Sequence, residues 1–318
     1  MRKHNLFKAY GHDFAVFLSS VSVIAITSTS ALANDECGVA TSGGTIICNG
    51  DGSPSTDISP YSSGISYTSN GLDLTVNGAA TTITTTANDT SGVSLIGTGI
   101  NPITSTVAST TSINLTGHGT GLEGPFNMGG IRVEQQGTGA TTINSAADIT
   151  SAASNAHGIV GRVTNSGNTE TLDINVTGGT IDVAPGSYGI YALHDGLGAI
   201  EIDSAADIDA AGSGGVGINV RAGNSSNTSD IRVNATGPRS GRIYVQHEGT
   251  GKIDVTSGGD IITTGAGHGI SAHISGASGG TSSSTKDIQV NATGGTISTT
   301  DSNARGIFGR HSGSGTID

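Results

Sequence analysis

A short step recurs along this chain: an apolar residue, in most cases directly after a glycine, that opens a run of alternating β-branched residues. The apolar residue of the step is found at Ile65, Val93, Ile131, Ile159, Ile190, Ile218, Ile243, Ile270 and Ile307. Successive steps are 25 to 38 residues apart. This spacing is too irregular for a helical repeat of fixed period, but it suits a coil whose strands are fixed and whose loops vary in length. Repeats of this size indicate stacked units, none of which can bury its apolar face alone.

Composition alone would suggest a chain that does not fold. Only 34% of the 318 residues are hydrophobic and 12% are charged, whereas 52 are glycine. Chains of this kind often fail to offset the conformational entropy that ordering costs. A solenoid escapes this limit because its core is a thin column, filled by one or two Ile, Val or Leu side chains from each strand. The repeat therefore predicts one elongated domain.

Within a coil, the sequence predicts three short strands joined at Gly-Gly, Asn-Gly or Asp-Gly corners. Alternation with a period of two sends Leu172, Ile174 and Val176 to one face and Asp173 and Asn175 to the other. Outside the N-terminal region no segment has helical periodicity. Three strands per coil, each pairing with its counterpart in the next coil, describe an all-β parallel β-helix. About nine coils at ~4.8 Å per strand give a column on the order of 40 Å long.

Two types of coil are expected to alternate. The first type ends a strand in Asn-x-Thr-Gly, at Asn175, Asn234 and Asn291, with Asn114 in an earlier and looser copy. The second type closes a small-residue turn with Asp-Ile, at Asp148, Asp207 and Asp260. Because like residues recur after 53 to 61 residues, the larger period corresponds to two coils.

Residues 1–33 have the organisation of a signal peptide. Basic residues open the segment, an apolar run follows at 14–26, and Ala31, Leu32 and Ala33 provide the small residues that signal peptidase recognises. The apolar run is shorter than the ~20 residues that a membrane-spanning helix needs. We therefore expect cleavage between Ala33 and Asn34, and export of the rest of the chain.

Both cysteines follow soon after this cleavage site. In an exported chain, Cys37 and Cys48 are expected to form a disulfide. Two thiols without a neighbouring histidine provide only half of a metal-ligand set. Residues 34–60 are interpreted as an N-terminal cap for the coils, since turn residues and prolines follow the second cysteine.

The exported part is strongly acidic. Without residues 1–33 the chain keeps 10 of its 13 basic and 24 of its 25 acidic residues, a net charge of about −14. It has no cluster of lysine or arginine in the sequence. Nucleic acids and anionic membrane surfaces are therefore not expected partners.

The chain resembles the passenger region of bacterial autotransporters, the type V secretion proteins. The resemblance is carried by the signal peptide, the cysteine pair flanking Gly43-Gly44-Thr45-Ile46-Ile47, and the Gly-Ile and Thr-Gly-Gly-Thr-Ile coils, and it covers residues 34–318. It implies a right-handed parallel β-helix displayed on the cell surface, at the outer membrane or outside the cell, and serving adhesion, aggregation or virulence. The implied partners are a host-surface or matrix ligand, or further copies of the chain.

Autotransporters end in a membrane β-barrel, and this sequence has no segment with that pattern. The sequence stops at Asp318, early in a coil of the second type. Residues 61–318 are therefore interpreted as passenger repeats that are truncated in mid-coil. Such a passenger would reach a membrane only through the barrel that is missing here. An inert remnant of an interrupted autotransporter gene remains an alternative.

A carbohydrate-active enzyme is the other alternative, because parallel β-helices also house polysaccharide lyases and hydrolases. Glu201 and Asp203 alternate with apolar residues, so they share an outward face at a separation of about 7 Å. Carboxylates at that separation suit inverting glycoside hydrolysis. A solvated strand face accounts for the pair more simply, and neighbouring coils offer no third catalytic group.

Other polar residues receive structural interpretations. The aspartates Asp148, Asp207 and Asp260 would bind calcium only if they stacked directly, and the alternation of coil types separates them. The Asn-x-Thr asparagines are expected to form a stacked ladder or a turn. The histidines are expected at turns or on the surface; these are His157, His194, His247, His268, His273 and His311. No catalytic, cofactor or metal residues are predicted, and binding is expected to use loops such as 220–230 and 276–287.

Overall fold

The chain forms a parallel β-helix of short strands that stack in three sheets. A computed structural model describes residues 36–52, 57, 59–119, 128–210, 212, 215–264, 267–276 and 283–318. These residues all belong to one compact unit, 33–318, and they contain strands and turns but no helix. Accordingly, no helix of this part of the chain is long and apolar enough to cross a membrane. The predicted cleavage site, Ala33 and Asn34, lies outside the described residues, as does the rest of the signal segment.

Sheet 1 has nine strands, which begin at or near the recurring Gly-Ile step. They are β2 Ile65–Ser69, β5 Val93–Gly97, β8 Gly129–Gln135, β11 His157–Val163, β14 Tyr188–His194, β17 Val216–Ala222, β20 Arg242–His247, β23 Ile270–Ile274 and β26 Ile307–His311. The nine apolar residues of the step align from strand to strand without exception. Because eight of the nine are buried completely, the step marks one continuous row of core side chains.

Sheets 2 and 3 complete each coil. Sheet 2 consists of β1 Gly44–Cys48, β3 Leu72–Val76, β6 Ile103–Val107, β9 Thr141–Ser145, β12 Leu172–Val176, β15 Ile200–Ser204, β18 Ile231–Ala235, β21 Ile253–Ser257 and β24 Ile288–Ala292. Sheet 3 consists of β4 Thr82–Thr85, β7 Ser112–Leu115, β10 Asp148–Ser151, β13 Thr180–Val183, β16 Asp207–Asp209, β19 Arg239–Ser240, β22 Ile261–Thr263 and β25 Ile297–Thr299. Every strand pairs in parallel with its counterparts in adjacent coils, which confirms the predicted three-stranded coil.

The glycine of the Gly-Ile step is required by packing inside the column. A Cβ atom on Gly158 would lie within 3.0 Å of the Ile181 side chain, which points inward from sheet 3, and of the Gly189 carbonyl in the next coil. The same conflict with a sheet 3 isoleucine recurs at Gly92, Gly130, Gly189 and Gly269. The step therefore brings the backbone of sheet 1 close enough for the isoleucine of sheet 3 to pack against it.

One coil departs from this rule because its sheet 3 position holds Arg239 instead of isoleucine. Arg239 aligns with Ile208 and Ile261 and is only 3% exposed. Its guanidinium donates to Ser257 Oγ at 3.2 Å and to the Gly237 carbonyl. Burial lowers its pKa to about 10. Gly217, which lies in the same coil, has no isoleucine facing it.

The two predicted coil types alternate as expected, with one correction. Asn144, Asn175, Asp203 and Asn234 align in sheet 2, so strands of both types occupy the same sheet in successive coils. Asn114 is different: it lies in β7 of sheet 3 and aligns with Thr150. The prediction that it belongs to an early copy of the first type is wrong, because the period-two pattern is the same in every sheet and does not identify the sheet.

The segment predicted as an N-terminal cap contributes the first strand of sheet 2. Strand β1 pairs with β3 over its whole length, and its last residue, Cys48, forms the predicted disulfide with Cys37. The side chain of Asp57 is completely buried nearby, where it accepts hydrogen bonds from the Asn49 and Gly50 amides at 2.9 Å. It also accepts one from the Tyr61 hydroxyl, and burial raises the pKa of that hydroxyl.

Removal of the disulfide should destabilise this end of the column. The cysteines are 11 residues apart, and closing a loop of that size stabilises a fold by about 2–3 kcal/mol through the entropy of the unfolded chain. We expect the double substitution Cys37→Ala and Cys48→Ala to lower the free energy of unfolding by about that amount, measured by urea denaturation. A reductant should have the same effect on the natural chain and none on the double variant. Equal stability with and without reductant would contradict the prediction.

Candidate functional site

The two carboxylates considered for catalysis lie on the outer face of sheet 2, as their alternation predicts. Glu201 is exposed and Asp203 is half-buried. Asp203 forms an ion pair with Arg232 of the next coil and accepts a hydrogen bond from Asn234 Nδ2 at 2.8 Å. Both acceptor oxygens of Asp203 are thus engaged by a neighbouring strand, an arrangement that favours a structural contact over a free catalytic base.

The asparagines of sheet 2 form the expected ladder along the column. Asn175 Nδ2 donates to Asn144 Oδ1 at 3.4 Å and to Asp173 Oδ2 at 3.0 Å. Asn234 continues the ladder through its bond to Asp203. These side chains link successive coils on the outer face, where each contact is only part-buried.

The aspartates of the second coil type are separated by intervening coils, as predicted. Asp148 aligns with Thr180, and Thr180 aligns with Asp207. Asp148 Oδ1 accepts hydrogen bonds from the Thr180 amide at 2.9 Å and from its hydroxyl at 3.0 Å, and Asp260 likewise accepts from the Thr296 amide at 2.6 Å. Within the ranges that the structure describes, no three His, Cys, Asp or Glu side chains come together as a metal-binding group.

The histidines were expected at turns or on the surface, but three of them are buried and His273 lies within strand β23. His157, His194 and His247 are at most 2% exposed. His194 Nδ1 accepts a hydrogen bond from the Gly196 amide at 3.0 Å, while Nε2 lies 2.8 Å from the Glu170 carbonyl of the preceding coil. His247 makes the equivalent contacts with Gly249 and with Ser229 of the preceding coil. These three side chains are buried because neighbouring coils stack against the positions that they occupy.

Two of the buried histidines, His194 and His247, belong to a corner motif that recurs in every second coil. The motif, His or Gln followed by x-Gly-x-Gly, begins at Gln135, His194, His247 and His311. Its glycines let the backbone approach the preceding coil: a Cβ on Gly198 would lie within 3.0 Å of both the Glu170 carbonyl and His194 Nε2. Sequence analysis missed this motif, although the recurrence of x-Gly-x-Gly before a sheet 2 strand is visible in the sequence.

Coils of the first type use a buried asparagine at the same corner. Asn227 Nδ2 donates to the Gly196 and Gly198 carbonyls at 3.1 and 2.9 Å, and its Oδ1 accepts from the Ser229 amide. Asn168 makes the same set of contacts one pair of coils earlier. The predicted loop 220–230 therefore begins inside β17 and is anchored to the coil below it. The other predicted loop, 276–287, lies partly outside the described residues.

The outer face of sheet 1 has a composition unlike that of the rest of the chain. Six of the eight arginines in the described ranges lie on it or at its edge: Arg132, Arg162, Arg221, Arg242, Arg305 and Arg310. The described Tyr and Phe side chains that lie outside the main core are also here: Tyr188, Tyr191, Tyr244 and Phe308. In an acidic chain, this face concentrates both cationic and aromatic side chains.

The middle of this face is largely neutralised and packed within itself. Glu134 pairs with Arg132 at 2.6 Å and with Arg162 at 3.4 Å, and Arg221 Nε donates to Glu248 at 3.0 Å. Val160, Tyr191 and Leu193 form a small apolar cluster of their own. Burial raises the pKa of the Tyr191 hydroxyl to about 12.

The C-terminal part of the face has arginines stacked on aromatic rings. The Arg242 guanidinium lies 5.5 Å from the centroid of the Tyr244 ring, and that of Arg305 lies 5.1 Å from the Phe308 ring. We call this cluster the C-terminal patch, and it consists of Arg242, Tyr244, His268, His273, Arg305 and Phe308. Cations and aromatic rings together are the side chains that are enriched at binding surfaces.

Comparison of the chain with protein-family models, with curated proteins and with solved structures finds no match.

Proposed function

We propose that this chain is an exported, surface-displayed β-helical protein, the passenger region of a bacterial autotransporter, that mediates adhesion or aggregation. The observation that carries the proposal is the outer face of sheet 1, where arginine and aromatic side chains gather on an otherwise acidic column. Arginine and tyrosine are enriched where proteins bind partners. A rigid column presents such a face over many coils without the ordering cost of a flexible loop.

Export is supported by two further features. The sequence order of basic segment, apolar run and Ala-Leu-Ala is that of a cleaved signal peptide. The Cys37–Cys48 disulfide fits an oxidising compartment, where such bonds persist.

Beads coated with the exported chain provide the test of adhesion. Production of the full chain in a secreting bacterium should yield a product that begins at Asn34, as determined by mass spectrometry of its N-terminal peptide. We expect beads coated with this product to aggregate or to be retained on immobilised extracellular matrix, because many copies on one bead convert weak contacts into stable attachment.

Beads coated with the same mass of an unrelated acidic protein are the control. Coated beads that neither aggregate nor bind matrix would overturn the adhesive role. A product that stays in the cytoplasm with residues 1–33 attached would overturn export.

A further inference from the structure

The C-terminal patch has positive charge that no carboxylate in the patch neutralises. None of the ion pairs in the described part of the chain involves Arg242, Arg305 or Arg310. Arg310 aligns with His273 in sheet 1 and is exposed, as is Arg305. By contrast, the arginines in the middle of the same face are paired with Glu134 and Glu248.

The pKa values of the two histidines in the patch are lowered by burial and by the nearby arginines. Burial lowers the pKa of His268, and the nearby Arg305 and Arg242 lower it further. The pKa of His273 is lowered by burial and then by Arg310, His268 and Arg242. The part of each shift that comes from the arginines reflects a positive potential at the patch, which attracts anions.

A cleft beside the patch provides polar groups of both kinds. It has a volume of about 190 Å³ and is lined by Arg242, Gly267, His268, Asp301, Asn303 and Ala304. The cleft thus brings the cationic Arg242 side chain together with a carboxylate and an amide, which can accept hydrogen bonds from hydroxyl groups.

The patch by itself is smaller than the footprint of an ordinary protein partner. Three strands at ~4.8 Å and side-chain rows ~7 Å apart give an area on the order of 200 Å², against the ~800 Å² per partner of a stable protein interface. A single oligosaccharide chain matches this area. Sugar rings have apolar faces that stack on aromatic side chains, and guanidinium groups bind carboxylates and sulfates with two parallel hydrogen bonds.

We propose that the C-terminal patch, together with Arg310, binds an anionic oligosaccharide whose acidic groups pair with Arg242, Arg305 and Arg310 and whose rings pack against the exposed parts of the half-buried Tyr244 and Phe308 side chains. Asp301 and Asn303 accept hydrogen bonds from its hydroxyl groups. The proposal rests on the adhesive role proposed above and names the ligand class that the surface would recognise.

Calorimetric titration of the full chain with defined octasaccharides tests the site. The probes are a galacturonate octasaccharide, its carboxyl-reduced neutral counterpart and a heparin-type sulfated octasaccharide. We expect at least one anionic probe to bind, the neutral probe to bind at least about tenfold more weakly, and affinity to fall with added salt. Binding of the carboxylated probe alone would identify the acidic group as carboxylate, and binding of the sulfated probe would extend the site to sulfate.

Two substitutions locate the binding. Arg305→Gln removes an exposed charge and should lower the affinity for the anionic probe at least about tenfold. Phe308→Leu removes an aromatic surface and should lower the affinity for both charged and neutral probes. Arg232→Gln removes the same charge from sheet 2 and should leave affinity unchanged. Equal binding by the natural chain and the Arg305→Gln variant would overturn the site, as would equal binding of the neutral and acidic probes. Tighter binding of an oligothymidylate of eight nucleotides would overturn the assignment to carbohydrate.

Failure of the site and failure of the adhesive role give different results. Beads that adhere equally well when coated with the Arg305→Gln variant would refute this site and leave adhesion standing. A chain that binds the acidic octasaccharide while its beads attach to nothing would support the site and refute adhesion.

Discussion

Replacement of Gly158 by alanine should lower the free energy of unfolding by about 3 kcal/mol, since overpacking of this kind typically costs 1–3 kcal/mol and here involves backbone. The added methyl group would overlap both the Ile181 side chain and the Gly189 carbonyl. The isoleucine cannot move aside, because it is buried in a column filled on all sides. Relief therefore requires that strands β11 and β14 shift relative to β13.

Two other glycines are matched controls for this substitution. A Cβ on Gly178 would meet no atom within 4 Å, so Gly178→Ala should be neutral or stabilising by up to about 1 kcal/mol. Gly217 occupies the same step as Gly158 but faces the coil of Arg239, and its nearest atom is a carbonyl oxygen at 3.2 Å. We expect Gly217→Ala to cost clearly less than Gly158→Ala.

Hydrogen exchange is the appropriate measurement beside urea denaturation, because a stacked array can unfold locally. Protection should fall mainly in β11 and β14 of the Gly158→Ala variant. If the three alanine variants were equally stable, close packing would not be the reason for the glycine of the step.

Replacement of His194 by alanine should also cost about 3 kcal/mol. The substitution leaves the buried Gly196 amide and the Glu170 carbonyl without their partner, and it opens a cavity in the corner. The conservative substitution His194→Gln should cost much less. Gln135 already makes the equivalent contacts in an earlier coil, where its Oε1 accepts from the Gly137 amide at 2.9 Å.

The buried histidines of this corner should make the folded chain less stable in mild acid. Burial lowers the pKa of His194 and of His247 in the folded chain below the ordinary value of 6.5, and the hydrogen bonds to the Glu170 and Ser229 carbonyls offset part of this effect. For His247, Asp230 and Glu248 also act against it. The unfolded chain therefore takes up protons first, so stability is complete above pH 6.5 and is lost as the pH falls towards the lowered values.

Urea denaturation at several pH values between 5 and 8 measures this effect. In the natural chain, the free energy of unfolding should fall with pH below about pH 6.5. We expect the double variant His194→Gln and His247→Gln to lose the histidine part of this slope. The reverse substitution, Gln135→His, should add to the slope. Comparison with the natural chain cancels the contributions of other titrating groups, and equal slopes in all three chains would show that the corner does not control acid stability.

The sequence was sufficient to predict the strands and their stacking. Alternation of polar and apolar residues is a local property, since successive side chains of any strand point to opposite faces. It placed Leu172, Ile174 and Val176 in the core, and the recurring Gly-Ile step located all nine strands of sheet 1. The two cysteines, together with the expectation of export, were likewise enough to predict the disulfide.

Contacts between coils could not be obtained in this way. Ile181 meets Gly158, His194 meets the Glu170 carbonyl and Arg232 meets Asp203 only because coils of unequal length stack in one particular register. Loops of variable length hide that register in the sequence, which is why Asn114 was grouped with the first coil type and why the burial of His157, His194 and His247 was not predicted. Arg239 shows the same limit, because its place in the isoleucine column is apparent only once β19 is aligned with its neighbours.

The sequence by itself thus determined that this chain is a parallel β-helix, because the period of two and the recurrence of coils are written in consecutive residues. Only the tertiary structure decided which side chains meet across coils, and with them the grouping of Arg242, Arg305, Tyr244 and Phe308 on one face. The physical reason is that a strand dictates where its own side chains point, whereas their neighbours are contributed by strands 25 to 38 residues away.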